Sequence, residues 1–157
     1  MFEVVYFSRT GNTKKVAEAI AAELKVTAKD VKTAGVLPQD AFIFIGTGCY
    51  GGTLPKEILK FMEKNKFNGR IAALFTTSAF GSDAERGLIE KQITSKGAVI
   101  THNFKCFGHL LTTRKSHPTV EELQKAREFA RMVAITLFPQ WTEKAKAAAK
   151  TPTGKNK

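Results

Sequence analysis

The residues best suited to chemistry lie in a short polar loop near the N-terminus. Residues 8–13 read Ser-Arg-Thr-Gly-Asn-Thr and stand between an apolar run and a helical pattern. A helix start offers free N–H donors and a positive dipole end, and Gly11 lets the backbone close around an anion. The hydroxyls of Ser8, Thr10 and Thr13 supply further contacts. The loop therefore predicts a phosphate site without lysine or metal, with an ordinary Ser/Thr-rich N-cap turn as the alternative.

Several other kinds of site lack their sequence signatures. The chain contains no Gly-x4-Gly-Lys-Ser/Thr loop, and no Gly-x-Gly-x-x-Gly follows the first apolar run. A Cys-x5-Arg phosphatase loop is excluded because Pro55 stands six residues after Cys49. His102, His109 and His117 have no metal-ligand spacing, so we expect no metal site. Cys49 lacks a CxxC partner, which favours a small loop residue over a redox thiol.

Short apolar runs alternate with helical patterns along the chain. The runs predict strands over residues 2–7, 41–45, 71–75 and 99–107, with a weak strand within 24–31 and Cys106 as a buried strand residue. Strands this apolar, each followed by a helix, are typical of a parallel sheet covered on both faces. Ligands of such sheets bind at the carboxyl ends of the strands. The loops of interest are therefore residues 8–13, 46–53, 76–82 and 108–118.

Helices are predicted from spacing and from their start and stop signals. Apolar residues spaced by three and four predict a helix ending at Leu24, and a second helix spans 54–64 with Pro55 in its first turn. Ser82 with Glu85, and Thr119 with Glu122, fit capping boxes. These boxes open helices over about 83–95 and from Thr119 onward, and the last helix ends at Pro139.

Composition bounds the class of protein. A chain of 157 residues predicts one domain, and apolar runs of at most five residues exclude a membrane span, which needs about 20. No signal peptide is visible, and two cysteines are too few for a disulfide framework, so we expect a cytoplasmic protein. The net charge is +11, of which residues 143–157 contribute +4. We expect a domain over residues 1–141 and a basic, solvated tail over 142–157.

Three loops together resemble the flavodoxin family. Residues 8–13 resemble its phosphate loop, Thr/Ser-x-Thr-Gly-x-Thr, and residues 48–55 (Gly-Cys-Tyr-Gly-Gly-Thr-Leu-Pro) resemble its second loop, whose aromatic residue lies against the flavin. Residues 76–81 (Thr-Thr-Ser-Ala-Phe-Gly) fall at the third loop. The resemblance covers roughly residues 2–138 and matches the short-chain group. It implies a three-layer α/β sandwich with a five-stranded parallel sheet of order 2-1-3-4-5 and helices on both faces.

The resemblance also implies a cofactor, FMN, bound without a covalent bond. The phosphate loop would hold the 5′-phosphate, Tyr50 and Phe80 would flank the ring, and a peptide beside Gly51 would flip on reduction. The implied cofactor-binding residues are Ser8, Arg9, Thr10, Gly11, Asn12, Thr13, Thr47, Gly48, Cys49, Tyr50, Gly51, Thr77, Ser78, Ala79, Phe80 and Gly81.

The charges of these loops depart from the acidic character of many flavodoxins. Seven cations stand against three acids, a balance of 7 − 3 = +4: Arg9, Lys14, Lys15, Lys56, Arg86, Arg114 and Lys115 against Glu57, Asp83 and Glu85. We expect the second reduction step to be easier than in acidic relatives, because positive charge favours the anionic reduced flavin. The same charges predict an acidic redox partner, such as a ferredoxin-like carrier or a reductase.

Three functions remain open on the sequence alone. The favoured one is a diffusible one-electron carrier with FMN as its redox group. The second is an FMN-dependent oxidoreductase acting on a quinone, a porphyrin precursor or NAD(P)H, although no second domain for a substrate is visible. The third is a binding module that has lost FMN and uses its basic surface. Against nucleic acid as its ligand, no aromatic residues are interleaved with the tail lysines.

Overall fold

The computed structural model describes residues 1–48, 50, 52–78, 83–108 and 117–140, and of residues 84 and 85 it describes the backbone alone. The strands are β1 (Phe2–Phe7), β2 (Ala28–Asp30), β3 (Phe42–Thr47), β4 (Ile71–Ser78) and β5 (Val99–Phe107). The helices are α1 (Asn12–Leu24), α2 (Lys56–Lys64), α3 (Ala84–Thr94) and α4 (Val120–Leu137). The predicted domain boundary at residue 141 and the tail from 142 lie outside the described residues.

The five strands form one parallel sheet in the order β2-β1-β3-β4-β5. The predicted architecture and strand order are thereby confirmed. β2 pairs with one side of β1, whereas β3, β4 and β5 are added in turn on the other side of β1. The strand order therefore reverses at β1 and β3. This reversal opens a crevice at the carboxyl ends of β1 and β3, where doubly wound sheets bind their ligands.

Each face of the sheet carries its own apolar core. Val4 and Phe44 point toward α1 and α4, whereas Val5 and Ile45 point toward α2 and α3. Successive strand residues face opposite sides, so a continuous apolar run supplies both cores. Gly46 is required by packing, because a Cβ there would lie 2.0 Å from the ring of Phe75.

The second strand is shorter than predicted, with only Ala28–Asp30 in the sheet. Leu24 belongs to α1 instead. The helix ends with Lys25 in the left-handed region at φ 57°, and the N–H of Val26 donates to the carbonyl of Ala21 at 3.0 Å. This Schellman closure satisfies the last helical carbonyls before the chain can extend into a strand.

Two helix starts differ in detail from their prediction, and one agrees. Pro55 is the N-cap of α2 with ψ 138° rather than a residue of its first turn, and its carbonyl accepts the first helical bonds. Asp83 is the N-cap of α3 and makes no side-chain cap hydrogen bond; Ser82 and the Glu85 side chain lie outside the described residues. The Thr119–Glu122 capping box at α4 is confirmed.

Candidate functional site

The predicted site loops meet at one edge of the sheet. Phe7, the last residue of β1, is in register with Thr47 at the end of β3, and Thr47 is in register with Thr76 in β4. Ser78 then pairs with Phe107 at the end of β5. Four strands therefore end side by side, and the polar residues that follow them converge although they are far apart in the sequence.

The first loop forms an uncapped helix start. Gly11 is the N-cap of α1 with φ 86°, a left-handed conformation that glycine accepts without steric cost, and no side chain caps the helix. The first turn contains no acidic residue. The N-cap residue thus offers no side-chain acceptor to the N–H groups of this turn, a helix start that favours binding of an anion.

A buried hydroxyl in the same loop completes the fit to a phosphate group. Ser8 Oγ is shielded from solvent and makes no hydrogen bond to any residue of the described ranges. Burying a hydroxyl without a partner costs free energy, so such a group in a native structure calls for a ligand or a water. Thr10 Oγ1 accepts a bond of 2.9 Å from Asn12 Nδ2, which stiffens the loop.

The ends of β4 and β5 close on the first loop. Thr13 and Thr77 join their hydroxyls at 2.7 Å in a buried hydrogen bond. The N–H of Gly108 donates to the carbonyl of Ser78 at 3.1 Å, and a Cβ on Gly108 would come within 2.9 Å of Asn12 Nδ2. Two segments that are distant in the sequence, the end of β4 and the residue that follows β5, are therefore packed against the start of α1.

The second loop turns tightly after β3. Thr47 is fully buried and its hydroxyl donates to the carbonyl of Gly48 at 2.8 Å. The N–H of Tyr50 donates to the carbonyl of Thr53 at 3.3 Å, and Gly52 adopts φ 73° in the turn. Cys49 and Gly51 lie outside the described residues, so the peptide flip beside Gly51 stays a prediction.

Tyr50 is tied to the first loop. Its hydroxyl accepts a hydrogen bond of 3.1 Å from the N–H of Arg9, and the Arg9 guanidinium carbon lies 4.3 Å from the centre of its ring. Phe7 meets the ring in a perpendicular arrangement with centroids 6.3 Å apart. Of the two aromatic residues predicted to flank a flavin, Tyr50 thus lies beside the phosphate loop.

The third loop is described only at its start. Thr77 and Ser78 are buried at the end of β4, in the row of strand ends that contains the other site residues. Ala79, Phe80 and Gly81 lie outside the described residues. The role of Phe80 beside a flavin ring therefore stays a prediction.

The charges around this edge differ from the simple sum over the sequence. Arg9, Lys15 and Lys56 are exposed. Asp83 accepts a hydrogen bond of 3.0 Å from Lys105 Nζ. Lys105 is not among the seven cations counted in the loops, because it lies in β5. That hydrogen bond and the attraction of the same ammonium lower the pKa of Asp83. Lys105 thus offsets one of the three predicted acids; Arg114 and Lys115 lie outside the described residues.

Glu122 joins β5 to α4. Besides its capping bond to the N–H of Thr119, it accepts hydrogen bonds of 3.2 Å from the N–H of Phe107 and 2.7 Å from His117 Nδ1. Burial alone would raise the pKa of Glu122, but the bonds from Thr119, His117 and Phe107 outweigh it and lower that pKa. The capping box was visible in the sequence, whereas the bond to β5 has no local signal.

Other candidate chemistry is not brought together. Cys106 is buried in β5 as predicted, and desolvation by burial, reinforced by the negative charge of Glu122, raises the pKa of its thiol to about 12. A thiol of that pKa forms little thiolate at neutral pH. Within the described ranges, no three histidine, cysteine, aspartate or glutamate side chains cluster as metal ligands. His109 lies outside those ranges.

Gly108, the first residue after β5, lies at this edge, within the loop of residues 108–118 that the sequence predicts to lie there. The charged residues predicted from the sequence to lie at this edge did not include Lys105. Lys105 lies inside a strand rather than in a loop, so a search confined to loops overlooks it.

In the part of the chain that the structure describes, no helix is long and apolar enough to span a membrane.

Comparisons with known proteins agree with this geometry. An uncharacterised protein of Methanocaldococcus jannaschii is 30% identical over 135 residues, which cover 78% of this chain and 89% of that protein. A flavodoxin of Clostridium beijerinckii is 29% identical over 109 residues, covering 62% of this chain and 79% of that protein. The crystal structure of oxidised flavodoxin 2 from Bacillus cereus superimposes with a TM-score of 0.67 at 19% identity, over 87% of this chain and 99% of that one.

The extent of the family match decides the assignment. A family model described as a flavodoxin domain matches residues 3–117, a range that includes all three of the loops that resemble this family. The match spans well over half of the chain, and the strand order observed here is the one that the sequence resemblance implied. The chain therefore belongs to the flavodoxin family, and this membership implies a flavin cofactor.

Proposed function

We propose that this protein binds FMN and carries single electrons between redox proteins. The observation that carries the proposal is the buried Ser8 hydroxyl, which has no partner among the described residues and lies beside the uncapped start of α1. A dianionic phosphate supplies acceptors for that hydroxyl and for N–H groups at the start of the helix. FMN carries such a group, whereas riboflavin does not.

Each part of the site has a distinct role in this proposal. Ser8, Thr10, Gly11, Asn12 and Thr13 bind the phosphate, and the hydrogen bond between Thr13 and Thr77 fixes the rotamer of Thr13. When bound, FMN supplies the one-electron chemistry, and the protein supplies orientation and electrostatics. The further residues proposed to form the cofactor site, by direct contact or by positioning a contact residue, are Arg9, Thr47, Gly48, Cys49, Tyr50, Gly51, Ser78, Ala79, Phe80 and Gly81.

The first experiment separates the phosphate from the ring. We expect the purified protein to retain a flavin absorbance band after FMN is added and the sample is desalted, and to bind FMN much more tightly than riboflavin. Ser8→Ala should weaken FMN binding and leave riboflavin binding unchanged. Ser95→Ala, an exposed substitution at the end of α3, is the matched control. A wild-type protein that takes up no FMN overturns the proposal.

The second experiment addresses electron carriage. A stepwise reductive titration of the FMN-loaded protein should show two separate one-electron steps, as a carrier of single electrons requires. A cation roughly 10 Å from the ring is worth about 1–2 kcal/mol at an effective dielectric of 20–40, before salt screening. One kcal/mol corresponds to about 40 mV in a one-electron step. The exposed cations should therefore raise the second potential above that of an acidic flavodoxin; a value as low as theirs contradicts this part of the proposal.

The partner we propose is an acidic redox protein, such as a ferredoxin-like carrier or a reductase, in the cytoplasm. Lys15 and Lys56 are exposed at the start of α1 and α2, next to the site. Association with an acidic carrier should slow as ionic strength rises, and Lys15→Glu with Lys56→Glu should slow it further. Lys66→Glu, exposed after α2 near the opposite edge of the sheet, should change little. Equal rates in all three proteins would contradict docking at this edge.

A further inference from the structure

Arg9 contacts Tyr50 twice, through its backbone and through its side chain. Its N–H donates to the Tyr50 hydroxyl at 3.1 Å, and its guanidinium carbon lies 4.3 Å from the ring centre. The two residues are 41 positions apart and follow neighbouring strands, β1 and β3. The described residues offer the Arg9 guanidinium no carboxylate within ion-pair distance, so the aromatic ring is its principal contact there.

The surroundings explain why Tyr50 needs such a contact. Tyr50 lies between Gly48 and Gly52, and glycines leave the backbone of this turn with much conformational freedom. Phe7 approaches the ring at 6.3 Å and fixes it from a second direction. A cation held over an aromatic face attracts the ring and limits its rotation. The contact thereby orders the aromatic residue of the second loop against the first loop.

We infer that Arg9 is a positioning residue, which holds the Tyr50 ring in place before FMN arrives and keeps a positive charge beside the flavin ring. This inference rests on the proposed function and deepens it. Because the Tyr50 side chain is already held in the apoprotein, less conformational entropy is lost when the cofactor binds. Arg9 thus influences binding of the flavin ring, through Tyr50. A residue that binds the phosphate influences FMN binding alone.

The inference predicts a pattern across variants and ligands. An exposed cation–π contact corresponds to about a two- to fivefold change in a binding constant, so Arg9→Gln should weaken FMN and riboflavin binding by that same factor. Arg9→Lys, which keeps the charge, should restore most of the affinity. Lys66→Gln removes an equal charge near the opposite edge of the sheet and should leave both ligands unaffected.

Three further readouts test whether Arg9 acts through Tyr50. In a Tyr50→Leu background, adding Arg9→Gln should cause no further loss of FMN affinity. In apoprotein with labelled arginine and tyrosine, nuclear Overhauser contacts should join the Arg9 side chain to the Tyr50 ring and disappear in Arg9→Gln. The second reduction potential should fall in Arg9→Gln but remain close to wild type in Arg9→Lys.

The possible results separate this inference from the proposed function. A loss confined to FMN, with riboflavin binding unchanged, would show that Arg9 binds the phosphate and would overturn the inference. Undiminished FMN affinity in Arg9→Gln, or an equal loss with and without the Tyr50 ring, would overturn it as well while leaving the proposed function intact. A wild-type protein that binds neither flavin overturns the proposed function, and with it the effect on the cofactor, even where the apoprotein contact is seen.

Discussion

The hydrogen bond between Thr13 and Thr77 gives the sharpest test of how the site is assembled. The two hydroxyls lie 2.7 Å apart, and the residues are 1% and 7% exposed. Replacing either threonine by valine keeps the shape of the side chain and leaves the other hydroxyl buried without this partner. Such an orphaned group costs about 1–3 kcal/mol, whereas replacing both partners by apolar groups of the same shape is nearly neutral. The expected cost is therefore not additive.

Urea denaturation of the apoprotein measures this directly. Thr13→Val and Thr77→Val should each lower the unfolding midpoint by about 0.5–1.5 M urea, since a cost of about 1–3 kcal/mol is divided by a slope of about 2 kcal/mol per molar urea. The double variant should be no less stable than either single variant. Thr101→Val is the control, because its hydroxyl makes only a long bond of 3.4 Å at an exposed position. A double variant that loses the sum of the two single costs would refute the reasoning.

Three further predictions concern the backbone, pH dependence and thiol reactivity. Gly11→Ala should lower the free energy of unfolding by about 1–2 kcal/mol, because φ 86° is strained for alanine. Gly87→Ala inside α3 should raise that free energy by up to about 1 kcal/mol in the same urea assay, because alanine favours a helix more than glycine does. Equal effects of the two substitutions would contradict the role of the backbone angle at Gly11. The folded-state pKa of Glu122 lies below its ordinary value of 4.5, so its ionised form contributes stability above that pH, and this is lost as the pH falls through the folded pKa. Glu122→Gln should therefore be less stable than wild type at pH 7 and lose less on acidification, and parallel stability curves between pH 7 and pH 3 would argue against it. In a Cys49→Ser variant, the remaining thiol, Cys106, should resist alkylation at pH 8 until urea unfolds the protein, because burial raises its pKa to about 12. Rapid labelling of Cys106 in the native protein would contradict this protection.

Much of the fold was predictable because its signals are local. The apolar runs of β1, β3 and β4 and the Thr119–Glu122 box depend only on neighbouring residues, and the structure confirms them. The limits of β2 were not predictable in this way. Whether residues 24–31 extend or remain helical depends on the hydrogen bonds that close α1 at Lys25, and these compete with pairing to β1.

Local sequence is enough to predict which residues are suited to an anion, since the loop of residues 8–13 contains three hydroxyls, a glycine and a helix start within six positions. The surroundings of that loop, in contrast, follow from the tertiary structure alone. The bond from Thr13 to Thr77, the contact of Arg9 with Tyr50 and the packing of Gly108 on Asn12 join residues 41 to 96 positions apart. The physical reason is the parallel sheet, whose register brings the ends of separate strands to one edge, and register is a property of long-range packing that no short segment encodes.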